Sequence, residues 1–341
     1  MNKKDIEELF ELDLHEVGIR ADSINKNSFA TFVINRHINY TDICLAKCPL
    51  CAFNNREKYL LTEDDVLKKA EEAVNYGATE LHIVGGHNPE IGIEYFESIF
   101  TAIKSIHPHI TIKALTATEV DFYSKKDKIS LKEFLSRLKE AGLDAMPGGG
   151  AEILVDRIRK KICPNKTDSE RWLKIMETAH KTGIKSNATM LIGHIESIKD
   201  RAEHLYRLRK LQNRTGGFVS FIPLVFHPEN TVLREEVKEK TNSADILRTI
   251  AVSRIALSNF KTIRAYWVML GEKLAEVALN YGANDLDGTL MEEKITHAAG
   301  AKTPMSLSVE KLLRIVRNAG KTPAQRDTFG NVIRVFEVGV C

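Results

Sequence analysis

Cys44, Cys48 and Cys51 stand in the run Cys44-Leu-Ala-Lys-Cys48-Pro-Leu-Cys51, a C-x3-C-x2-C spacing that can close three thiolates around one small inorganic site. The run offers no fourth ligand nearby, so a metal held here keeps an open position for a substrate or cofactor. Two other uses of the thiols compete. A structural zinc takes four protein ligands in close pairs, whereas the remaining cysteines, Cys163 and Cys341, are single, distant and without a paired histidine. An electron-carrying iron–sulfur cluster also takes four thiolates, and one of those distant cysteines could supply the fourth once the chain folds. Disulfides fit poorly. Five cysteines in 341 residues, behind the opening Met-Asn-Lys-Lys-Asp-Ile-Glu-Glu with no signal-peptide core, belong to a reducing cytoplasm.

Other runs carry polar or flexible residues suited to a ligand. In Val84-Gly85-Gly86-His87-Asn88-Pro89, paired glycines let a ligand approach bare peptide groups, although Gly-Gly after a strand also makes a tight turn. In Met146-Pro147-Gly148-Gly149-Gly150-Ala151-Glu152, three glycines leave room for a bulky ligand and Glu152 offers a carboxylate; a turn into a helix begun by an acid accounts for the same residues. Asn187 and Thr189 alternate with apolar neighbours and share one face, where they serve a lumen or satisfy each other. His194 and His227 each stand close to an acid, Glu196 and Glu229, and are structural or functional. Cys163, Trp172 and Cys341 lack such context and read as packing or tail residues.

The elements that hold these runs follow from the hydrophobic rhythm. Short apolar stretches over 31–39, 80–85, 111–115, 144–147, 186–192, 218–225, 263–269 and, weakly, 285–288 alternate with amphipathic ones, which argues repeated βα units and a parallel sheet. Eight such strands fit an α/β fold of the (β/α)8 barrel type. Helices are expected over 62–76, opened by Thr62 and acids and stopped by Gly77, over 130–141, stopped by Gly142, and over 308–319. The expected organisation is an N-terminal helical extension over 1–30, the barrel over 31–300 and a C-terminal helical extension over 301–341 packed on it. Each run above then lies on a loop after a strand or on the strand itself, at or near the C-terminal face where such barrels react substrates.

Composition narrows the partners. With 43% hydrophobic residues the chain can bury one large core. Lys and Arg total 49 against 46 Asp and Glu, and a net charge of +3 is too small to imply nucleic acid. No apolar run reaches the roughly 18–20 residues that span a bilayer. The expectation is a cytoplasmic enzyme with no nucleic-acid or membrane partner.

The three-cysteine run, with the residues up to Phe53, resembles the signature of the radical S-adenosylmethionine (SAM) enzymes. The resemblance implies that Cys44, Cys48 and Cys51 hold a [4Fe-4S] cluster whose unique iron chelates SAM, and that one electron cleaves the sulfonium to a 5'-deoxyadenosyl radical. It implies cofactor contacts from Phe53, Gly85, Gly86, His87, Glu152, Asn187 and Thr189. The chain departs from the family at Leu50, where an aromatic residue usually precedes the last cysteine, and at His87, which stands where a Gly-Gly-Glu motif has its acid.

Within that superfamily, Asn35-Arg-His-Ile-Asn39, His82-Ile-Val-Gly-Gly-His-Asn-Pro89, Ala114-Leu-Thr-Ala-Thr-Glu119 and Pro147-Gly-Gly-Gly-Ala-Glu152 are similar to the menaquinone and deazaflavin group. That group holds the aminofutalosine synthases, the dehypoxanthine futalosine cyclases and the FO synthase halves. Ala265-Tyr-Trp-Val-Met-Leu-Gly271, Asp285-Leu-Asp-Gly-Thr289 and the stretch from Glu292 through His297 to Gly300 resemble the aminofutalosine synthases, over about residues 35–334 in all. The implied reaction adds the deoxyadenosyl radical to the enol ether of 3-[(1-carboxyvinyl)oxy]benzoate. Rearrangement and decarboxylation follow, SAM is consumed, and 6-amino-6-deoxyfutalosine and methionine result, with flavodoxin or ferredoxin as electron donor. The cyclase, which abstracts hydrogen, is the alternative. A dianionic substrate asks for cationic or hydrogen-bonding partners, for which Arg264, Lys113, His87 and His227 are candidates, and His87, His227 and Arg264 are the candidate catalytic residues. A closed lumen lined by Tyr266, Trp267 and Phe226 would shield the radical.

Overall fold

The computed structural model describes residues 1–25, 28–54, 56–237, 239 and 241–337. Its strands are β1 (Phe29–Val33), β2 (Asn35–Asn39), β3 (Glu80–Val84), β4 (Thr111–Ala114), β5 (Ala145–Met146), β6 (Lys185–Ile192), β7 (Phe218–Val225), β8 (Thr262–Ile263), β9 (Asp285–Gly288), β10 (Thr322–Arg326) and β11 (Val332–Val335). Strands β2 to β8 pair in sequence order as one parallel sheet. A parallel bridge between Arg264 and Asp285 carries the order on to β9. The ring closes where the His37 N–H donates to the Leu290 carbonyl at 2.8 Å and the Asn35 N–H to the Thr289 hydroxyl at 3.0 Å. The curled sheet of eight parallel strands expected from the βα rhythm is therefore present as β2 to β9.

Helices cover the outside of this ring, and their ends follow local chemistry. The helix Glu63–Asn75 opens on a capping box in which the Asp65 N–H donates to the Thr62 hydroxyl at 3.2 Å and the Thr62 N–H to the Asp65 carboxylate at 2.9 Å. Leu131–Ala141 opens on Ser130 and ends at Gly142, whose φ of +118° is the left-handed conformation that terminates helices. Apolar faces of these helices pack on strands whose side chains are buried on both sides, as a covered parallel sheet requires.

Three expectations about elements need correction. The stretch 31–39 is two strands: β1 leaves the barrel to join β9, β10 and β11 in a second sheet, and only β2 enters the ring. The strand expected over 263–269 stops at Ile263, and Trp267–Leu270 is a short helix held where the Trp267 indole N–H donates to the Gly288 carbonyl at 2.9 Å. Beyond residue 300 the chain is not only helical. Val309–Asn318 is followed by the antiparallel pair β10 and β11, turned by Asp327, whose carboxylate accepts the N–H groups of Phe329 and Asn331 at 2.9 and 2.8 Å. The N-terminal extension contains two helices, Lys3–Glu11 and Leu14–Asp22.

Candidate active site

The cysteines lie on the long loop between β2 and the helix Glu63–Asn75, and that loop is tied down at its base. The Asp42 carboxylate accepts the N–H groups of Glu57, Lys58 and Tyr59 at 2.6, 3.1 and 3.0 Å, and the Thr41 hydroxyl donates to the Tyr59 carbonyl at 2.6 Å. Opposite the loop, the end of β3 comes very close. A Cβ on Gly86 would stand 2.2 Å from the Ile43 carbonyl oxygen and 2.8 Å from the Cys44 Cβ. The absence of a side chain at Gly86 is thus what lets the His87 N–H reach the Cys44 sulfur at 3.3 Å. Glu119 fixes the same turn by accepting the Gly85 N–H at 3.0 Å and the Tyr40 hydroxyl at 2.7 Å.

All three cysteines border one cavity of about 300 Å³. Phe53, Gly85, Gly86, His87, Glu152, Asn187 and Thr189 line it too, as do His227 and Arg264, so the structure brings every sequence candidate for cofactor binding and catalysis to one space. Leu50 is in the wall alongside Phe53, as are Lys113, Phe226 and Tyr266. Trp267 is not among the lining residues and belongs to the core, contrary to the expectation for it. His194 is also outside the lining; its Nε2 lies 3.1 Å from the Leu191 carbonyl and its Nδ1 3.2 Å from Glu196. Cys163 is buried and does not line the cavity, and Cys341 lies outside the described residues. Among the described residues no three His, Cys, Asp or Glu side chains converge on a position for a single ion.

The glycine-rich loop after β5 is shaped by groups the sequence reading passed over. A Cβ on Gly148 would meet the Ala188 backbone at 2.6 Å. Arg159 binds the carbonyls of Ala151, Gly150 and Thr167, the latter two at 3.1 and 2.6 Å, and the Trp172 indole donates to Gly149 at 3.4 Å. Glu152 takes a left-handed backbone, φ +44°, uncommon for a residue with a side chain and of the kind that gathers at ligand sites. Its carboxylate accepts Lys166 Nζ at 2.6 Å. On the facing strand the Thr189 hydroxyl donates to the Gly148 carbonyl at 2.8 Å, and Asn187 Oδ1 accepts Ser220 at 2.8 Å.

Electrostatics in the cavity follow burial. His87, stacked on Phe122 with centroids 4.8 Å apart, is pushed down to about 4 by desolvation and is a neutral imidazole. Burial pushes the Cys48 thiol up to about 12 and raises Cys51, against the pull of the Lys166 ammonium. Glu152, despite burial, is held below the usual carboxylate range by Lys166. Lys166, Asp42 and Arg159 had no motif to announce them, although an acid directly before a metal-binding loop is a signal that could have singled out Asp42, and Glu119 stood in a quoted run without a role assigned to it.

Comparison with known proteins places this arrangement. Residues 38–208 match the radical SAM superfamily and residues 215–335 the CofH/MqnC C-terminal region. The chain is 44% identical over 312 residues to the aminodeoxyfutalosine synthase of Thermus thermophilus, covering 90% of this chain and 84% of that one. It is 42% identical over 332 residues to the 5-amino-6-(D-ribitylamino)uracil--L-tyrosine 4-hydroxyphenyl transferase of Methanococcoides burtonii, covering 96% and 92%. The crystal structure of methylornithine synthase shares the fold, with a TM-score of 0.76 at 17% identity over 95% of this chain and 94% of that one.

Enzymes of this superfamily use a [4Fe-4S] cluster and SAM. The residues present fit both. The Lys166 ammonium favours the thiolates of Cys48 and Cys51, and all three cysteines face an open cavity with no fourth cysteine lining it among the described residues. The sulfur of Cys44 already accepts a backbone N–H. The ion pair of Glu152 and Lys166 sits in the same wall as Cys48 and Cys51 and offers a donor and an acceptor to a zwitterionic ligand. The cysteine loop, the barrel and both halves of the sequence thus agree, and the chain belongs to the radical SAM superfamily, in the family that contains aminodeoxyfutalosine synthase and its hydroxyphenyl-transferring relatives.

Proposed function

We propose that this enzyme is an aminodeoxyfutalosine synthase acting on 3-[(1-carboxyvinyl)oxy]benzoate in menaquinone biosynthesis. The observation that carries the proposal is 44% identity over 90% of the chain to a synthase of that name, extending through the C-terminal third where the runs around Tyr266 and Asp285 lie. When bound, the cluster supplies the electron that splits SAM into methionine and the 5'-deoxyadenosyl radical, which adds to the vinyl carbon of the substrate.

The chain's own residues do the rest by holding and shielding. Cys44, Cys48 and Cys51, on the loop after β2, would hold the cluster against the cavity. Phe53 and Leu50 offer apolar surface there, and Glu152, Asn187 and Thr189 offer hydrogen-bonding groups toward a ribose. Tyr266 and Phe226 enclose the lumen, which keeps water and stray hydrogen donors from a reactive substrate. Arg264, buried in the lumen with unpartnered donors, supplies a cation for one carboxylate of the dianion, and Lys113, paired with Glu80, lies beside it. His87 stays neutral and serves as a hydrogen-bonding group. The electron donor in this proposal is a low-potential carrier such as flavodoxin or ferredoxin, and the setting is the cytoplasm; no helix among the described residues is long and apolar enough to cross a membrane.

A second reading has a specific observation behind it. The 42% identity over 96% of the chain to a tyrosine 4-hydroxyphenyl transferase favours a transferase of that type. One anaerobic experiment separates the two, and the dehypoxanthine futalosine cyclase as well. Reconstituted protein with dithionite and SAM is offered 3-[(1-carboxyvinyl)oxy]benzoate, L-tyrosine with 5-amino-6-(D-ribitylamino)uracil, or dehypoxanthine futalosine, and products are read by mass spectrometry. The expected outcome is 6-amino-6-deoxyfutalosine with matching methionine from the first alone. Product from either of the others, with none from the first, replaces the assignment.

A further inference from the structure

Inside the barrel the cavity ends in a layer of polar side chains on the strands themselves. His37, His82 and Lys113 are cross-strand neighbours in register on β2, β3 and β4, and all three line the cavity. The two imidazoles pack tilted against each other, with centroids 4.3 Å apart and ring planes at 37°. The Lys113 ammonium is taken up by Glu80. Arg264, just past β8, lines the same space and is only 1% exposed.

The guanidinium of Arg264 is poorly satisfied for so buried a cation. Its Nη1 reaches Asp287 at 3.3 Å, and its Nε stands 3.3 Å from Asp285 without the alignment of a hydrogen bond. Asp285 is already clasped by both arms of Arg326. Arg264 Nε and Nη2 and His37 Nε2 are buried and have no hydrogen-bond partner among the described residues. Leaving such atoms unmatched is costly, more so on a charged group, unless something fills the gap. Structures keep such orphans mainly where a ligand or water is to be bound.

The charges here balance: Lys113, Arg264 and Arg326 face Glu80, Asp285 and Asp287, while Glu293 pairs with His297. Burial lowers the affinity of His37 and His82 for protons, so both are neutral. The layer therefore has directed donors on Arg264, unpartnered carboxylate oxygens on Glu80 and Asp287, and no diffuse positive field, which suits a small anion whose two oxygens are held at a fixed position by the guanidinium and kept off the acids.

Resting on the reaction proposed above, we propose that this layer seats the ring carboxylate of the substrate, with Arg264 Nη2 and His37 Nε2 donating to the two oxygens of a meta-substituted benzoate. The direction follows from the chemistry. The vinyl carbon must lie toward SAM at the cysteine end, and the ring carboxylate is across the aromatic ring from the vinyl ether, so it points into the barrel toward these strands. A phenol or an alcohol at that place offers one uncharged oxygen and leaves a charged donor unmatched, a loss that makes such a site selective.

The test is equilibrium binding to cluster-loaded protein with SAM and no reductant, so that no turnover is needed. The probes are 3-methoxybenzoate and 3-methoxybenzyl alcohol. Wild-type protein is expected to bind the benzoate at least about tenfold more tightly, a difference of about 1.4 kcal/mol. His37→Phe keeps a ring against His82 and removes Nε2, which has no partner among the described residues; it is expected to lower benzoate affinity about tenfold and leave the alcohol unchanged. Arg264→Lys, folded by circular dichroism, is expected to erase the preference. Failure of wild-type protein to bind the benzoate or to prefer it, or full preference retained in both variants, overturns the proposal even if the enzyme makes the adduct. Intact, variant-sensitive preference in a protein that makes no adduct would instead remove the reaction assigned above and leave the carboxylate seat.

Discussion

At Gly86 a hydrogen in place of a methyl group lets the cysteine loop lie against the end of β3. The neighbours of a Cβ there would be the backbone of Ile43 and the first carbon of the Cys44 side chain, neither of which can swing aside. Gly86→Ala is therefore expected to push the loop off its seat, at a cost of about 1–3 kcal/mol by overpacking, and to lose most of the iron on reconstitution while the circular dichroism spectrum is kept. Iron content equal to wild type would mean that this close approach does not place Cys44. The same contact explains why His87 suits a place where the wider superfamily has an acid. Its backbone serves the sulfur, and its neutral ring packs on Phe122 in the cavity wall.

Short elements with little propensity of their own shape the far wall of the cavity. The helix Ile295–Ala299 has five residues and no side-chain cap from Lys294. Glu293 takes that role: its carboxylate accepts the N–H groups of Ile295 and Thr296 at 3.1 and 3.0 Å and bonds His297 Nδ1 at 2.9 Å. The hydrogen bond to Glu293 lifts His297 from 6.5 to about 9. A folded-state value above the unfolded one means the stabilisation is complete below about 6.5 and is lost as pH rises through about 9. Urea unfolding measured from pH 6.5 to 9.5 is expected to show a falling midpoint, and His297→Gln to flatten that fall. An unchanged slope in the variant would remove His297 as its source. Because Glu293, Ile295 and Thr296 line the cavity, the same change should loosen substrate binding at high pH.

The whole molecule is a barrel whose closure depends on the tail. Strand β10 pairs with β1 and β1 with β9, and Arg326 at the end of β10 clasps Asp285 at the start of β9, both fully buried. Removing one member of such a buried pair leaves an uncompensated charge at a cost of about 3–5 kcal/mol. Arg326→Ala is expected to lower the unfolding free energy by about that much in chemical denaturation, and a loss under about 1 kcal/mol would mean that Arg264 can neutralise Asp285 alone. A milder outcome is also expected at the cavity. With Arg326 gone, the Asp285 carboxylate draws on Arg264 without regaining both arms of the lost clasp, so benzoate affinity falls along with stability.

Much of the chemistry was legible before the fold. Cys44, Cys48 and Cys51, the glycine runs at Gly85 and Gly148, Glu152, and Asn187 with Thr189 declare themselves by residue type and short spacing, and helix caps such as Thr62 and Ser130 act within one turn of chain. Short apolar runs between amphipathic stretches likewise marked the strands, and all eight strands of the ring lay within or close to the expected stretches. The division of 31–39 into β1 and β2 was not legible, because both halves have strand-like residues and what separates them is a partner strand at 322–326. The same holds for the short helix at Trp267, fixed by a hydrogen bond to Gly288, and for the buried layer of His37, His82, Lys113 and Arg264. In sequence these are scattered polar residues on four strands or strand ends; Lys113 and Arg264 stood out only as cations for a dianion, and nothing joined them to His37 and His82. Their meaning comes from register and ring closure, which set side chains far apart in the chain at hydrogen-bonding distance and out of water. Local covalent spacing carries the identity of the metal-binding chemistry, while the place where a substrate meets the barrel depends on contacts that exist only once the chain has closed on itself.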